Sequence, residues 1–200
     1  MSRRQPATAL DGWSGAMPCA RALMGRVREG DGRRAVPAAI HRTLEYVMLE
    51  FKRERAFGRS YQVLSDGVPV ARWSARAWKS GGEVELADEV FEFRSANWGR
   101  TFEMGAKGAV RAEAHRSGRR WSVTGHDGEY ELARPSGLRG NRQLVQGTRV
   151  LGEFRRGGWG GGLTAELTDV PLPLQVFAGL VVLSLQHRQR AGAAAASSGG

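Results

Sequence analysis

Between residues 44 and 170, apolar and polar residues alternate in one short run after another. Val47, Leu49 and Phe51 alternate with Met48, Glu50 and Lys52; Val84 and Leu86 alternate with Glu83 and Glu85; Phe91 and Phe93 flank Glu92. The same period returns at Phe102 and Met104, Trp121 and Val123, Tyr130 and Leu132, and Leu163, Ala165 and Leu167. A period of two sends one face of each run into a core and leaves the other wet, as in antiparallel sheets. Turn signals separate the runs in two interleaved series. The first is Phe57-Gly58-Arg59, Trp78-Lys79-Ser80-Gly81, Asn97-Trp98-Gly99-Arg100, Ser117-Gly118-Arg119, Leu138-Arg139-Gly140 and Trp159-Gly160. The second is Asp66-Gly67, Asp88-Glu89, Lys107-Gly108, Asp127-Gly128, Gln146-Gly147 and Asp169-Val170. Each series repeats about every 20 residues, offset from the other by about 10. Asp-Gly between alternating runs is a hairpin signal, so the pattern predicts about twelve up-and-down strands.

So many half-buried strands must either pack on a second layer or close on themselves. The segment after them decides between the two. From Pro171 to Leu185 the chain is apolar on nearly every side, with prolines at 171 and 173 placed for a helix start. An all-round apolar helix sits in a core or in lipid, and this one is shorter than the roughly 20 residues a bilayer span needs. A twelve-stranded barrel is too wide for its own side chains to fill, and one helix fills it. The predicted fold is therefore mainly β: a closed antiparallel barrel of about twelve strands over residues 41–190, around a buried central helix at 173–188. Pro69 must then lie at a strand start or a bulge, since a closed barrel has no free edge.

Residues 1–40, rich in Ala, Arg, Gly and Pro, show neither period and read as a disordered basic arm or as the product of a misplaced start codon. Residues 191–200, Ala-, Ser- and Gly-rich, read as a frayed tail. The net charge is +10, from 30 basic and 20 acidic residues, and all but three of the bases are arginines. Residues 1–43 hold eight arginines against three acids, or +5, so residues 44–200 hold the other +5. The barrel itself is only mildly basic, which weakens a nucleic-acid reading. The single cysteine, Cys19, excludes an intramolecular disulfide and any cysteine zinc site. That usage fits a reducing compartment, and no signal-peptide core follows the N-terminus, so a cytoplasmic location is expected.

The segment Pro171-Leu-Pro-Leu-Gln-Val-Phe-Ala178, followed by Gly-Leu-Val-Val-Leu, resembles the hydrophobic C-terminal helix of the tubby C-terminal-like superfamily. That superfamily includes the tubby domain, the plant LURP-one-related proteins and the phospholipid scramblases. The aromatic-Gly-Arg turns Phe57-Gly58-Arg59 and Trp98-Gly99-Arg100 are similar to those of its small actinobacterial members. The resemblance spans residues 44–188. It implies a twelve-stranded barrel filled by its helix, and a binding or membrane-associated role. The tubby lipid site has no residue-by-residue match here. The scramblase calcium-binding acidic cluster and palmitoylated cysteine stretch are also missing from the sequence, so neither specific activity carries over.

Up-and-down strands place alternate turns on opposite rims. The first series then gathers bases and aromatics on one rim. The second gathers Asp66, Asp88, Glu89, Asp127 and Asp169 on the other, with Lys107 nearly alone as a base. The helix enters at the acidic rim, so His187-Arg188-Gln189-Arg190 should emerge at the basic one. Arginine mixed with tryptophan suits a phospholipid headgroup layer. The candidate ligand-binding residues are Arg59, Arg76, Lys79, Trp98, Arg100, Arg119, Arg120, Arg139 and Trp159. The expected partner is an anionic membrane surface on the cytoplasmic side, with another protein as the alternative and nucleic acid ranked last. The competing explanation is that these are solvated turn residues whose aromatics cap the barrel mouth. No catalytic, metal or cofactor site is expected. The four histidines lack metal-ligand spacing, and no Ser or Cys nucleophile occupies a motif near His126 and Asp127. The glycine-rich run 155–162 precedes a strand instead of the helix N-terminus that a phosphate loop requires.

Overall fold

The computed structural model describes residues 47–54, 60–77, 81–135, 140–157 and 162–197, with backbone alone at Val47, Arg76, Ala77, Ala196 and Ser197. All belong to one compact unit that starts at Leu44. The expected basic arm, residues 1–40, lies outside the described residues. The alternating runs form β1 (Val47–Arg53), β2 (Ser60–Ser65), β3 (Val68–Ala77), β4 (Gly81–Leu86), β5 (Glu89–Ala96) and β6 (Thr101–Ala106). They continue as β7 (Ala109–Ser117), β8 (Arg120–Gly125), β9 (Gly128–Ala133), β10 (Arg142–Gln146), β11 (Arg149–Arg156) and β12 (Leu163–Leu167). Every strand pairs antiparallel with its sequence neighbours, and β1 with β12 closes the barrel, Val47 opposite Leu167 through Phe51 opposite Leu163.

The alternation sets what fills the barrel. Leu49, Phe51, Val63, Val84, Phe93, Met104, Val123, Leu132, Leu144 and Phe154 are all buried. Their outward neighbours carry the charge, and pairs such as Arg94–Glu103 and Arg155–Glu166 lie on the wall. The tight turns of the second series use left-handed residues, Asp66-Gly67 and Lys107-Gly108 among them, which match the twist of the flanking strands. Register shifts at Val63/Leu64, Met104/Gly105 and Leu144/Val145 leave Val70, Arg111 and Leu151 with no opposite residue across those hairpins, and a further shift lies at Ala75/Ala77. Pro69, next to Val70, thus sits at a strand start and at a bulge, where its missing N–H is harmless.

The helix α1 (Leu172–Ser197) follows β12 and is buried almost continuously from Leu174 to Gln186. Its first turn is fixed by Gln175, whose Nε2 donates to the Val170 carbonyl at 2.6 Å. Gly179 is required by close approach: a Cβ there would overlap the far edge of the Phe51 ring. The helix outruns the expected end at 188 and continues through Ser197, because the stretch read as frayed is mostly alanine, the residue of highest helical propensity. Among the described residues no helix is long and apolar enough to cross a membrane.

Candidate functional site

Odd-to-even hairpins and the C-terminal part of α1 share one mouth of the barrel. Just below it, aromatic rings pass contacts from strand to strand. Tyr61 meets Trp73 at 5.6 Å, Trp73 meets Phe93 at 5.8 Å, Phe93 stacks on Phe102 at 5.6 Å, and Phe102 meets Trp121 at 5.5 Å. Phe177 of α1 joins this belt through Phe93.

Above the belt the inward-facing series do not stop. They end in arginine. Residues directly opposed in an antiparallel ladder share a face, and here Arg53 opposes Tyr61, Arg116 opposes Trp121, Arg142 opposes Phe154 and Arg156 opposes Leu163. Arg134 extends the series of Tyr130 and Leu132. The helix adds Arg188 and Arg190 at the same level. Arg188 donates from Nη1 to the Gly99 carbonyl at 2.7 Å and from Nη2 to Ser95 Oγ at 2.8 Å, its guanidinium 5.0 Å from the Phe102 centroid.

Two groups form around the helix. On one side the His187 ring lies within hydrogen-bond distance of the Tyr61 hydroxyl at 3.0 Å, and Arg53 Nε donates to that hydroxyl at 3.2 Å. Burial, with Arg190 and Arg53 adding repulsion, pushes the imidazole down to about 4, so it is neutral at pH 7. On the other side a cleft of ≈ 720 Å³ opens, with Arg100, Arg116, Arg119, Arg134, Arg142 and Arg188 in its lining beside Trp98 and Trp121. Among the described residues no carboxylate lines it, and none of the six arginines makes an ion pair with one. Arg142 is only 5% exposed, and its Nη1 is buried without a hydrogen-bond partner. Burial, then repulsion from Arg134 and Arg116, pushes its pKa down to about 10, so it still carries its proton at pH 7.

Trp98 stands at the lip. Asn97, Trp98 and Gly99 are consecutively left-handed, with φ of 52°, 57° and 76°. That conformation is rare for a bulky residue and costs on the order of 1–3 kcal/mol. The turn is held by Arg100 N–H donating to the Asn97 carbonyl and by Asn97 Nδ2 donating to Thr101 Oγ1. The strain leaves the indole fully exposed instead of folded over the mouth.

Of the nine candidate residues, Arg59, Lys79, Arg139 and Trp159 lie outside the described residues, as does the side chain of Arg76. Trp98, Arg100 and Arg119 come together in the cleft. Arg120 does not line it, and its guanidinium pairs with Glu131 at 3.6 Å. Sequence reading missed Arg116 and Arg134 altogether; Arg142, beside a turn of the first series, and Arg188, at the helix end, were expected at the basic rim but were not among the nine candidates. The signal that finds Arg116, Arg134 and Arg142 is an inward strand series whose last member, at the shared mouth, is arginine instead of an apolar residue. No cluster of His, Cys, Asp or Glu among the described residues could hold a metal ion. The chain matches no protein-family model and no curated protein.

Proposed function

We propose that the protein is a non-enzymatic binding module that docks this basic, aromatic mouth on an anionic phospholipid surface from the cytoplasmic side. The observation that carries the reading is the cleft of six arginines, without ion pairs among the described residues, beneath a fully exposed Trp98. Solvated turn arginines gain nothing by converging, whereas a headgroup layer offers each one a phosphate and offers the indole an interface. The helix end supports the same orientation. Residues Ala191–Ala195 are exposed, uncharged and small, so nothing in them opposes contact with the headgroup layer. We also infer kinship with the tubby C-terminal-like superfamily, supported by the closed twelve-stranded barrel around an apolar C-terminal helix.

Co-sedimentation with neutral and anionic vesicles, at low and moderate salt, tests the reading. The full chain should pellet only with anionic vesicles, and less so as salt rises. Binding to neither, together with a stable oligomer, would replace it with a protein-interaction role.

A further inference from the structure

The fold does not require Arg142. Its neighbour in the inward series of β10 is Leu144, fully buried, and an apolar residue would fit the same pattern. Instead the position holds a cation 5% exposed with one nitrogen unpartnered, facing like charges. A buried charge without a partner destabilises a protein. Such a group makes sense where a ligand completes it.

We propose that the Arg142 cleft is a one-to-one receptor for a phosphomonoester dianion. The charge count selects this class. Among the described residues six cations face no carboxylate, and a phosphomonoester brings a charge of roughly −1.5 to −2 with three strong acceptor oxygens, against −1 and two oxygens for a carboxylate. Planar guanidinium forks match phosphate oxygens two at a time. Arg142 supplies the desolvated floor, Arg116 and Arg134 flank it, and Arg188 is held in place by Gly99 and Ser95. A volume of ≈ 720 Å³ admits a headgroup or sugar-phosphate-sized ligand and excludes a macromolecule beyond an end group. The phosphate can be free or part of a lipid. Only in the lipid case does the inference rest on the docking reading.

Titration calorimetry of the full chain with glycerol phosphate tests the cleft alone. Saturable one-to-one binding is expected. Arg142→Met and Arg134→Gln should each weaken it about tenfold, the loss of one charge-assisted hydrogen bond. Arg94→Gln, on the wall, should leave it unchanged. The ligand-free Arg142→Met protein should also melt a few degrees higher than the parent, whereas a structural arginine would make it melt lower. Arg134→Gln, at an exposed position, keeps the test valid if Arg142→Met fails to fold. Absence of saturable binding to the parent, or binding indifferent to both variants, overturns the proposal. Vesicles of phosphatidate and of phosphatidylglycerol at matched charge identify the source. Preference for phosphatidate, abolished by glycerol phosphate, assigns the cleft to a lipid headgroup. Soluble binding without that preference assigns it to a free phosphomonoester. Vesicle binding without soluble binding sinks the cleft and leaves the docking reading standing.

Discussion

The two mouths of this barrel are built from alternate hairpins of the same strands and use charge in opposite ways. At the acidic mouth the charged residues are exposed turn residues, and Arg149 there is matched by Asp169. Along the wall, too, arginines take carboxylate partners: Arg72 pairs with Glu54, Arg94 with Glu103 and Arg155 with Glu166. At the basic mouth six arginines share one cleft with none among the described residues. The sequence supplies enough acids to pair arginines elsewhere, so their absence here is local. Stability and solubility account for the wall and the acidic mouth. They do not account for a cluster of cations that repel one another.

The largest expected effect breaks the comparison directly. Reversing Arg100, Arg116, Arg119 and Arg134 to Glu removes four bases worth about 1 kcal/mol each at an anionic surface, so vesicle affinity should fall by a factor of about 10³ or more. Reversing Asp66, Asp88 and Asp127 to Lys at the other mouth should leave it unchanged or tighter. A tightening by the acidic-mouth set as large as the loss from the basic-mouth set would show in co-sedimentation that net charge, and not placement, governs binding.

Glycine substitutions compare the mouths through stability. Gly99 has φ +76°, and a methyl group there would overlap the Arg188 guanidinium. Gly108 has φ +81° with nothing near its missing Cβ. Gly108→Ala should therefore cost about 1 kcal/mol from backbone strain alone, and Gly99→Ala about 2 kcal/mol or more, measured by chemical denaturation. Gly99→Ala should also weaken anionic binding, because Arg188 loses its seat.

A smaller effect follows pH. His187 at the basic mouth has its pKa lowered by the fold, so its contribution is intact above the unfolded value of 6.5 and is lost as pH falls towards about 4. Melting temperature should drop by a few degrees across that window. His187→Gln, which cannot gain the charge, should flatten that part of the curve.

The smallest effect belongs to the acidic mouth. Asp169→Asn removes an exposed ion pair with Arg149 and should cost well under about 1 kcal/mol, since both partners are solvated. A larger loss would mean that this mouth also depends on its charges.

How much of this was legible follows from which forces act locally. Period-two alternation and Asp-Gly turns are properties of neighbouring residues, so the strands, the closed barrel and the polarity of its rims could be read along the chain. The all-round apolar segment likewise identified the core helix. The bulges at Val70, Arg111 and Leu151 are matters of register between strands, and register is not a local property. The site was legible only in part for the same reason. Arg119 and Arg120 are adjacent in sequence, yet one lines the cleft and the other pairs with Glu131. Arg116 and Arg142 are 26 positions apart and meet only because their strands bring both to one mouth. A search for arginine in turns found the rim. A search for arginine ending an inward series would have found the cleft.

The seam between β1 and β12 governs how the molecule can be made. Its partners, Val47–Phe51 and Leu163–Leu167, come from opposite ends of the barrel sequence, and the helix that occupies the lumen follows all twelve strands in the chain and so is made after them. The sheet cannot close first and be threaded afterwards. It must wrap around α1 after α1 has emerged. Until then the nascent chain presents a curved, greasy sheet with two open edges, the form most prone to joining another copy. Closing so distant a contact last predicts slow folding, in the millisecond-to-second range. A chain stopped at residue 170 should aggregate, because the scaffold for closure is also the cargo that the barrel encloses.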